Sequence, residues 1–287
     1  MSSHVVKADR PLLAWLLESL TPMSRSKIKQ MLKHGQISVN GQPITQFDHP
    51  LQAGDRVIVQ GGKPEPVAIL PIVYQDDDLI AIDKPAGLLS VATDEEKLDT
   101  AFAQLNDYLA AKKEGRVYVV HRLDRDTSGL LLFARSPAAR DKLQSTWPSV
   151  VKSYLAVVEG SPSPAKGTVR NYLSERKDLL VKSHPFAIPE AKEAVTHYRL
   201  LHSYERYSLV EVILETGRKH QIRVHLKGLG CPVIGDQPYG SKSNPSNRLG
   251  LHAWRLAFDH PSTGKPIELE SPFPKALNKV IGWLMKG

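Results

Sequence analysis

The chain has one cysteine, Cys231, among 287 residues. That excludes an internal disulfide, leaves no cysteine set for a structural zinc site, and fits a reducing cytoplasm, which is the expected location. No run approaches the roughly 18 consecutive apolar residues that a membrane helix requires. The opening stretch MSSHVVKADRPLLAWLLESL is broken by Glu18 and offers no small-residue cleavage site, so no secretory signal is expected. There is no repeat period and no long low-complexity segment. His220 and His225 in HQIRVH, and His252 in LHAW, come without an HExxH pattern, so zinc binding is not expected. GDQPYG has two glycines but lacks the lysine and spacing of a phosphate loop, and reads as a turn.

What is present is an ordinary globular balance of 41% hydrophobic and 24% charged residues. Lysine and arginine outnumber aspartate and glutamate by 38 to 30, a net charge of +8. The excess favours a polyanionic partner, either nucleic acid or an acidic membrane surface.

In PLLAWLLESL the residues Leu12, Leu13, Leu16, Leu17 and Leu20 recur at helical spacing. Ser24 then caps a second helix, RSKIKQMLKHG, with Ile28, Met31 and Leu32 as its apolar stripe and Gly35 as its terminator. Arg25, Lys27, Lys29 and Lys33 give that helix four cations and no acid, a pattern suited to phosphate contacts. QISVNGQPI predicts a hairpin turning at Asn40–Gly41, and LQAGDRVIV a further turn and strand. SRSKIKQMLKHGQISVNG and LQAGDRV together resemble the alpha-L RNA-binding module named after a ribosomal small-subunit protein, over residues 10 to 60. The resemblance implies a small α/β domain, residues 1–62, whose basic helix and hairpin grip structured RNA. Residues 63–71, within GGKPEPVAILP, have the composition of a linker.

Residues 72–287 read as a second domain. The segment Asp94 to Lys113 reads mainly as helix, with Leu98, Phe102, Leu105 and Leu109 as its buried positions. Short strands with irregularly placed helices favour an α+β fold on a mixed, largely antiparallel sheet.

Between two strand-like runs in VVHRLDRDTSGLLLFA lie Arg122, Asp124, Arg125 and Asp126. Leu123 is placed to anchor the turn and aim Asp124, Thr127 and Ser128 to tie it, and Gly129 to permit a close approach. Arg125 and Asp126 are assigned to loop support. Further on, ETGRKHQIRVHLKGLG sets Arg223 and Leu226 three apart, able to share a helix side. A buried guanidinium requires a carboxylate, and Asp124 is a candidate.

HRLDRDTSGLLLFAR, KSYLAVVEG, TGRKHQIRVHL, PVIGDQPYG and LGLHAWRLAFDHPSTG resemble, in order, the motifs of the RluA family of RNA pseudouridine synthases. The resemblance covers most of residues 72–287 and implies isomerisation of uridine in RNA to pseudouridine on that family's catalytic fold. It implies Asp124 as the essential carboxylate, Tyr154 as the base-contacting aromatic, and Arg223 as the arginine paired with the aspartate. Leu226 would then line an apolar pocket, Arg122 would displace or replace the target base, and Lys152 would face phosphate or solvent. Lys219 stands where the family often has threonine. Attack on the sugar, attack on the ring and an elimination route all remain open, and none needs a metal, a cofactor or an external nucleophile. The implied partner is structured RNA, large-subunit ribosomal RNA ahead of transfer RNA, with a noncatalytic ribosome-assembly factor as the alternative. Nothing in the sequence signals oligomerisation, so a monomer is the default.

Overall fold

The computed structural model describes the chain except for residues 1, 21–22, 24–27, 29–30, 33–34, 60–69, 94–95, 97–98, 177 and 283–287. The chain divides into two compact units, Met1–Ala68 and Ile69–Gly287.

The first unit contains β1 (Ser2–Val5), β2 (Arg10–Pro11), helix α1 (Leu12–Ser19), β3 (Ile37–Val39), β4 (Gln42–Pro43), β5 (Pro50–Leu51) and β6 (Arg56–Val59). A sheet of order β1-β6-β3-β4 and the separate β2-β5 pair make up its strands. Leu12, Leu13 and Leu16 are buried, as their spacing predicts, in one cluster with Ile28, Met31 and Leu32. Gly35 has φ of 64°, and its N–H donates to the Leu32 carbonyl at 3.0 Å, so it ends the helical stripe where a side chain would be strained. The β3–β4 hairpin turns on Asn40 and Gly41, both at positive φ, which matches the twist of the strands it joins. The four basic residues expected to dock RNA, Arg25, Lys27, Lys29 and Lys33, lie outside the described residues.

The second unit is built on β7 (Ile72–Gln75), β8 (Leu79–Lys84), β9 (Tyr118–Val119), β10 (Ser128–Ala134), β11 (Val151–Glu159), β12 (Lys166–Glu175), β13 (Val181–His184), β14 (Lys192–Ser203), β15 (Tyr207–Leu214), β16 (Leu251–Asp259) and β17 (Pro266–Glu270). Their order is β13-β12-β14-β15-β11-β16-β10-β8-β7, with β17 on β16 and β9 on β10. Every one of these pairings is antiparallel except β10 with β16, so the sheet is mixed and largely antiparallel, as the sequence predicts.

Strand β10 is buried along its whole length, and its alternating side chains feed two cores. Leu130 and Leu132 pack with Leu143 of one helix, α3 (Pro137–Thr146); Leu131 and Phe133 pack with Leu105 and Leu109 of another, α2 (Ala101–Lys112). Helix α2 is capped by the Thr100 hydroxyl, which accepts the Ala103 N–H at 3.1 Å; Asp94, Glu95, Lys97 and Leu98 of the expected helix lie outside the described residues. Leu70, inside the stretch that reads as linker, is buried in the core with Leu131. Two further helices, α4 (Gln221–Gly228) and α5 (Lys275–Ile281), complete the unit.

Candidate active site

The turn between β9 and β10 is fastened from three sides. Leu123 is buried, and Ser90 clips its backbone twice: the Leu123 N–H donates to the Ser90 hydroxyl at 3.0 Å, which donates in turn to the Leu123 carbonyl at 2.8 Å. The next carbonyls hold the turn itself, with the Thr127 N–H on Asp124 and the Gly87 N–H on Arg125. Beneath it the fully buried Lys84 ammonium donates to the carbonyls of Pro85, Leu88 and Arg125 at 3.0, 2.7 and 3.0 Å. At the exit, Gly129 (φ 110°) lies so close to β16 that a Cβ there would meet the Ala253 carbonyl oxygen at 2.1 Å. Ser128, one residue earlier, bonds the imidazole of His252 and receives a hydrogen bond from Arg248. These contacts fix the backbone so that Asp124 faces a cleft of about 810 Å³. That volume is ample for a nucleotide base and its sugar.

Strand β11 supplies the facing wall. A register shift against β16 falls between Ser153 and Tyr154, and Tyr154 lines the cleft with Leu214 and Leu251. The other wall is the turn leading into α4. Gln221, buried, pins it by donating to the Val195 carbonyl and accepting from the Arg218 N–H and the Thr216 hydroxyl. Arg122 is exposed at the cleft and makes no hydrogen bond or ion pair among the described residues. Trp147 also lines the cleft, stacked on His121 at 4.4 Å between centroids and packed against the core on its other contacts.

Three expectations about side chains are corrected. Arg223 does not form its ion pair with Asp124: its Nε and one terminal nitrogen lie 2.7 Å from the two oxygens of Asp236, a fully buried carboxylate. Asp236 takes two of the five guanidinium N–H donors in a fork. Leu226 is not among the residues that line the cleft; it is buried behind them, in one cluster with the lining residues Ile222, Leu214 and Leu251. Lys152 lines the cleft but does not face solvent. Its buried ammonium donates to the carbonyls of Trp147 and Val150.

Electrostatically the cleft surrounds Asp124 with cations. Burial raises the Asp124 pKa, opposed by Arg223, Lys219, Lys84 and Arg122, and burial wins. Burial and the Asp124 carboxylate push the Tyr154 hydroxyl far up, so Tyr154 is neutral at physiological pH. Burial lowers Lys84 to about 8, partly offset by Asp126 and Asp124. His220 and His225 are lowered to about 4, chiefly by burial. His225 bonds Thr196 and Asn171, and His220 bonds Tyr239, as neutral structural groups.

Two residues of this site escape the sequence reading. Asp236 sits in GDQPYG, read as a simple turn, and Lys84 ends the strand LIAIDK. The one signal for Lys84 is its place at the end of an apolar run just before Pro85, where a snorkelling route to solvent is short of chain.

Residues 78–227 match the family model described as RNA pseudouridylate synthase, and residues 10–57 match the S4 domain. An uncharacterized RNA pseudouridine synthase of Bacillus subtilis (strain 168), YlyB, is 36% identical over 277 residues, covering 92% of this chain and 90% of the relative. The ribosomal large subunit pseudouridine synthase D of Xanthomonas campestris pv. campestris is 33% identical over 306 residues, 96% of this chain and 89% of the relative. Among solved structures, human RNA pseudouridylate synthase domain containing 4 superposes with a TM-score of 0.63 at 27% identity, covering 74% of this chain and 92% of that one. With its reactive-turn geometry and these matches together, the chain belongs to the RNA pseudouridylate synthase family, of the RluA type with an N-terminal S4 domain.

Proposed function

We propose that this enzyme acts on large-subunit ribosomal RNA and carries out the uridine-to-pseudouridine isomerisation at the Asp124 cleft. The observation that carries the site assignment is the state of Asp124: a carboxylate held by a rigid turn, facing a basic cleft, with no hydrogen bond on its oxygens among the described residues. Such an acid is ready to act on a substrate, whereas a structural acid would be saturated with donors.

The reaction conserves atoms. The bond from the sugar C1′ to N1 of uracil breaks, a bond from C1′ to C5 forms, the C5 proton leaves and N1 gains one. Asp124 serves as the nucleophile or base in this sequence. Tyr154, neutral and with its ring on the cleft wall, gives uracil a face on which to remain while it turns. To reach the cleft the nucleotide must leave its helix, at a cost of a few kcal/mol. Arg122, exposed at the cleft and without a hydrogen bond or ion pair among the described residues, would occupy the vacated position. The ribosomal assignment is supported by the Xanthomonas relative's name and by the basic balance of the chain. We assign the enzyme to the cytoplasm as a monomer, consistent with its single buried cysteine.

The test is incubation with ribosomal or transfer RNA carrying tritium at C5 of uridine, followed by mapping of the modified positions. Release from large-subunit RNA that disappears in Asp124→Ala, with RNA binding retained, supports the reading. Release only from transfer RNA overturns the substrate, and no release from any RNA overturns the activity.

A further inference from the structure

Four exposed cations line the cleft, Arg122, Arg125, Arg218 and Lys219, and among the described residues only Lys219 is paired with an acid. The Arg125 and Arg218 Nε groups donate to the carbonyls of Gly87 and Glu193, bonds that leave their charge unopposed. Lys219 instead donates to the Glu175 carboxylate. Glu175 lines the same cleft, where Asp124 is the only other carboxylate among the lining residues. A basic cleft thus carries on its rim one anion that neutralises one of its own cations.

Holding the rim together does not require this pair. Glu175 ends β12 and pairs with Val181 across the β12–β13 hairpin, while Lys219 stands on the turn before α4. The hydroxyl of the buried Tyr239 already joins the two, accepting the Val181 N–H at 2.8 Å and bonding the His220 imidazole at 2.8 Å. The backbone around Lys219 is fixed as well, by the Arg218 N–H donating to Gln221 at 3.0 Å and by His220 at φ 52°. What can change partner is the side chains of Lys219 and Glu175, 38% and 47% exposed. An exposed pair of this kind contributes little in water, so a competing anion displaces it readily.

We propose that Lys219 is a phosphate ligand for the bound RNA, and that Glu175 is its stand-in anion in the free protein, given up when the RNA backbone reaches the rim. The proposal rests on the reading that RNA enters at Asp124.

The charge geometry supplies the reason. Lys219 is near enough to act on the Asp124 charge, so a nucleotide whose sugar is seated at Asp124 brings its flanking phosphates to the same rim. The lysine ammonium is a compact point charge with three donors, which suits it to phosphate oxygens. Once released, Glu175 is an uncompensated anion facing the RNA backbone. Every RNA meets that repulsion, and only one that seats a phosphate on Lys219 offsets it. Glu175 is therefore a brake on loose polyanion binding in a cleft that is otherwise basic.

The experiment is the affinity of the native full chain, Lys219→Gln, Glu175→Gln and Asp178→Asn for a large-subunit ribosomal RNA transcript, measured between about 50 and 200 mM salt. Asp178, on the same hairpin but outside the cleft lining, reports the general effect of removing one negative charge. Lys219→Gln is expected to weaken binding roughly threefold or more and to lower the slope of log affinity against log salt by about one. Glu175→Gln is expected to tighten binding by up to about fivefold, and Asp178→Asn by less than about twofold. An unchanged salt slope in Lys219→Gln means that the ammonium never reaches phosphate, and overturns the proposal. Equal tightening in Glu175→Gln and Asp178→Asn reduces Glu175 to bulk charge and overturns it, as does a Glu175→Gln chain that binds no tighter than the native one. A native chain that binds RNA and releases tritium while these shifts are missing loses this proposal alone; a native chain that binds no RNA loses the functional reading, and the proposal with it.

Discussion

The Lys84 ammonium donates to the carbonyl of Arg125 at 3.0 Å, joining the end of β8 to the underside of the turn that carries Asp124. Burial lowers its pKa from 10.5 to about 8, which sets two opposite pH dependences. The folded state favours the neutral amine, so folding stability falls as pH drops from 10.5 through 8, by on the order of 3 kcal/mol. The turn, however, has its full set of three ammonium bonds only below about 8. Turnover is therefore expected to decline above pH 8 while the melting temperature rises. In Lys84→Met the rate at pH 7 falls and this alkaline limb disappears from the pH–rate profile. An unchanged limb would assign it to another group.

Asp124→Asn is expected to abolish tritium release and to raise the melting temperature. The carboxyl's pKa is raised on folding, so the stability it contributes is present below its unfolded value and lost as pH rises through the folded one. At pH 7 the ionised form costs stability, even with four cations nearby, and the isosteric amide removes that cost. For a unit of this size each kcal/mol recovered appears as about 2 to 4 °C. Thermal unfolding followed at pH 7 and again at pH 4 checks the sign, since the gain shrinks as Asp124 takes up its proton.

Gly129→Ala tests the seat of the turn. The added methyl would meet the Ala253 carbonyl at 2.1 Å on a backbone at φ 110°, so either the turn or β16 must move. A loss of about 3 kcal/mol in urea unfolding is expected, with activity falling further than the folded fraction does.

Arg122→Ala separates surface charge from chemistry. The side chain is exposed and unpartnered among the described residues, so stability should change by less than about 0.5 kcal/mol. If Arg122 fills the place of the extruded nucleotide, kcat falls roughly tenfold to a hundredfold, about 1.4 to 2.7 kcal/mol of barrier. Equal loss of activity on unstructured and structured RNA would remove the base-replacing role.

Tyr154→Ala is expected to weaken substrate handling by about 1 to 3 kcal/mol, the usual worth of one stacked base. Tyr154→Phe keeps most of that, because the hydroxyl makes no hydrogen bond in the cleft among the described residues. Comparing KM for the two variants checks whether the ring or the hydroxyl holds the base.

Features set by neighbours along the chain were legible in the sequence. The Asn40–Gly41 turn, the Gly35 stop, the Leu123 anchor and the close approach at Gly129 each follow from one residue's backbone freedom or apolarity. The strand-like run GLLLFA, now β10, was readable from its apolarity. Partner choice was not. Burial of Arg223 demands a carboxylate, but nothing in the residues distinguishes Asp124 from Asp236, and the choice depends on how the 236–239 turn packs beside α4. Lys152 failed similarly: its place two residues before Tyr154 puts it on the cleft side, but local carbonyls capture the ammonium first. With Leu226, three residues from Arg223, the helical angle allowed a shared side, and only its burial behind the lining residue Ile222 was not readable.

The parallel pairing of Ser128 with His252 and Gly129 with Ala253 also sets an order of events during synthesis. The turn that carries Asp124 emerges from the ribosome well before β16, the strand against which it is seated. Pairing across so long a separation is slow relative to local folding. A growing chain that has not yet reached β16 thus carries Asp124 on a turn that lacks the strand it is seated against.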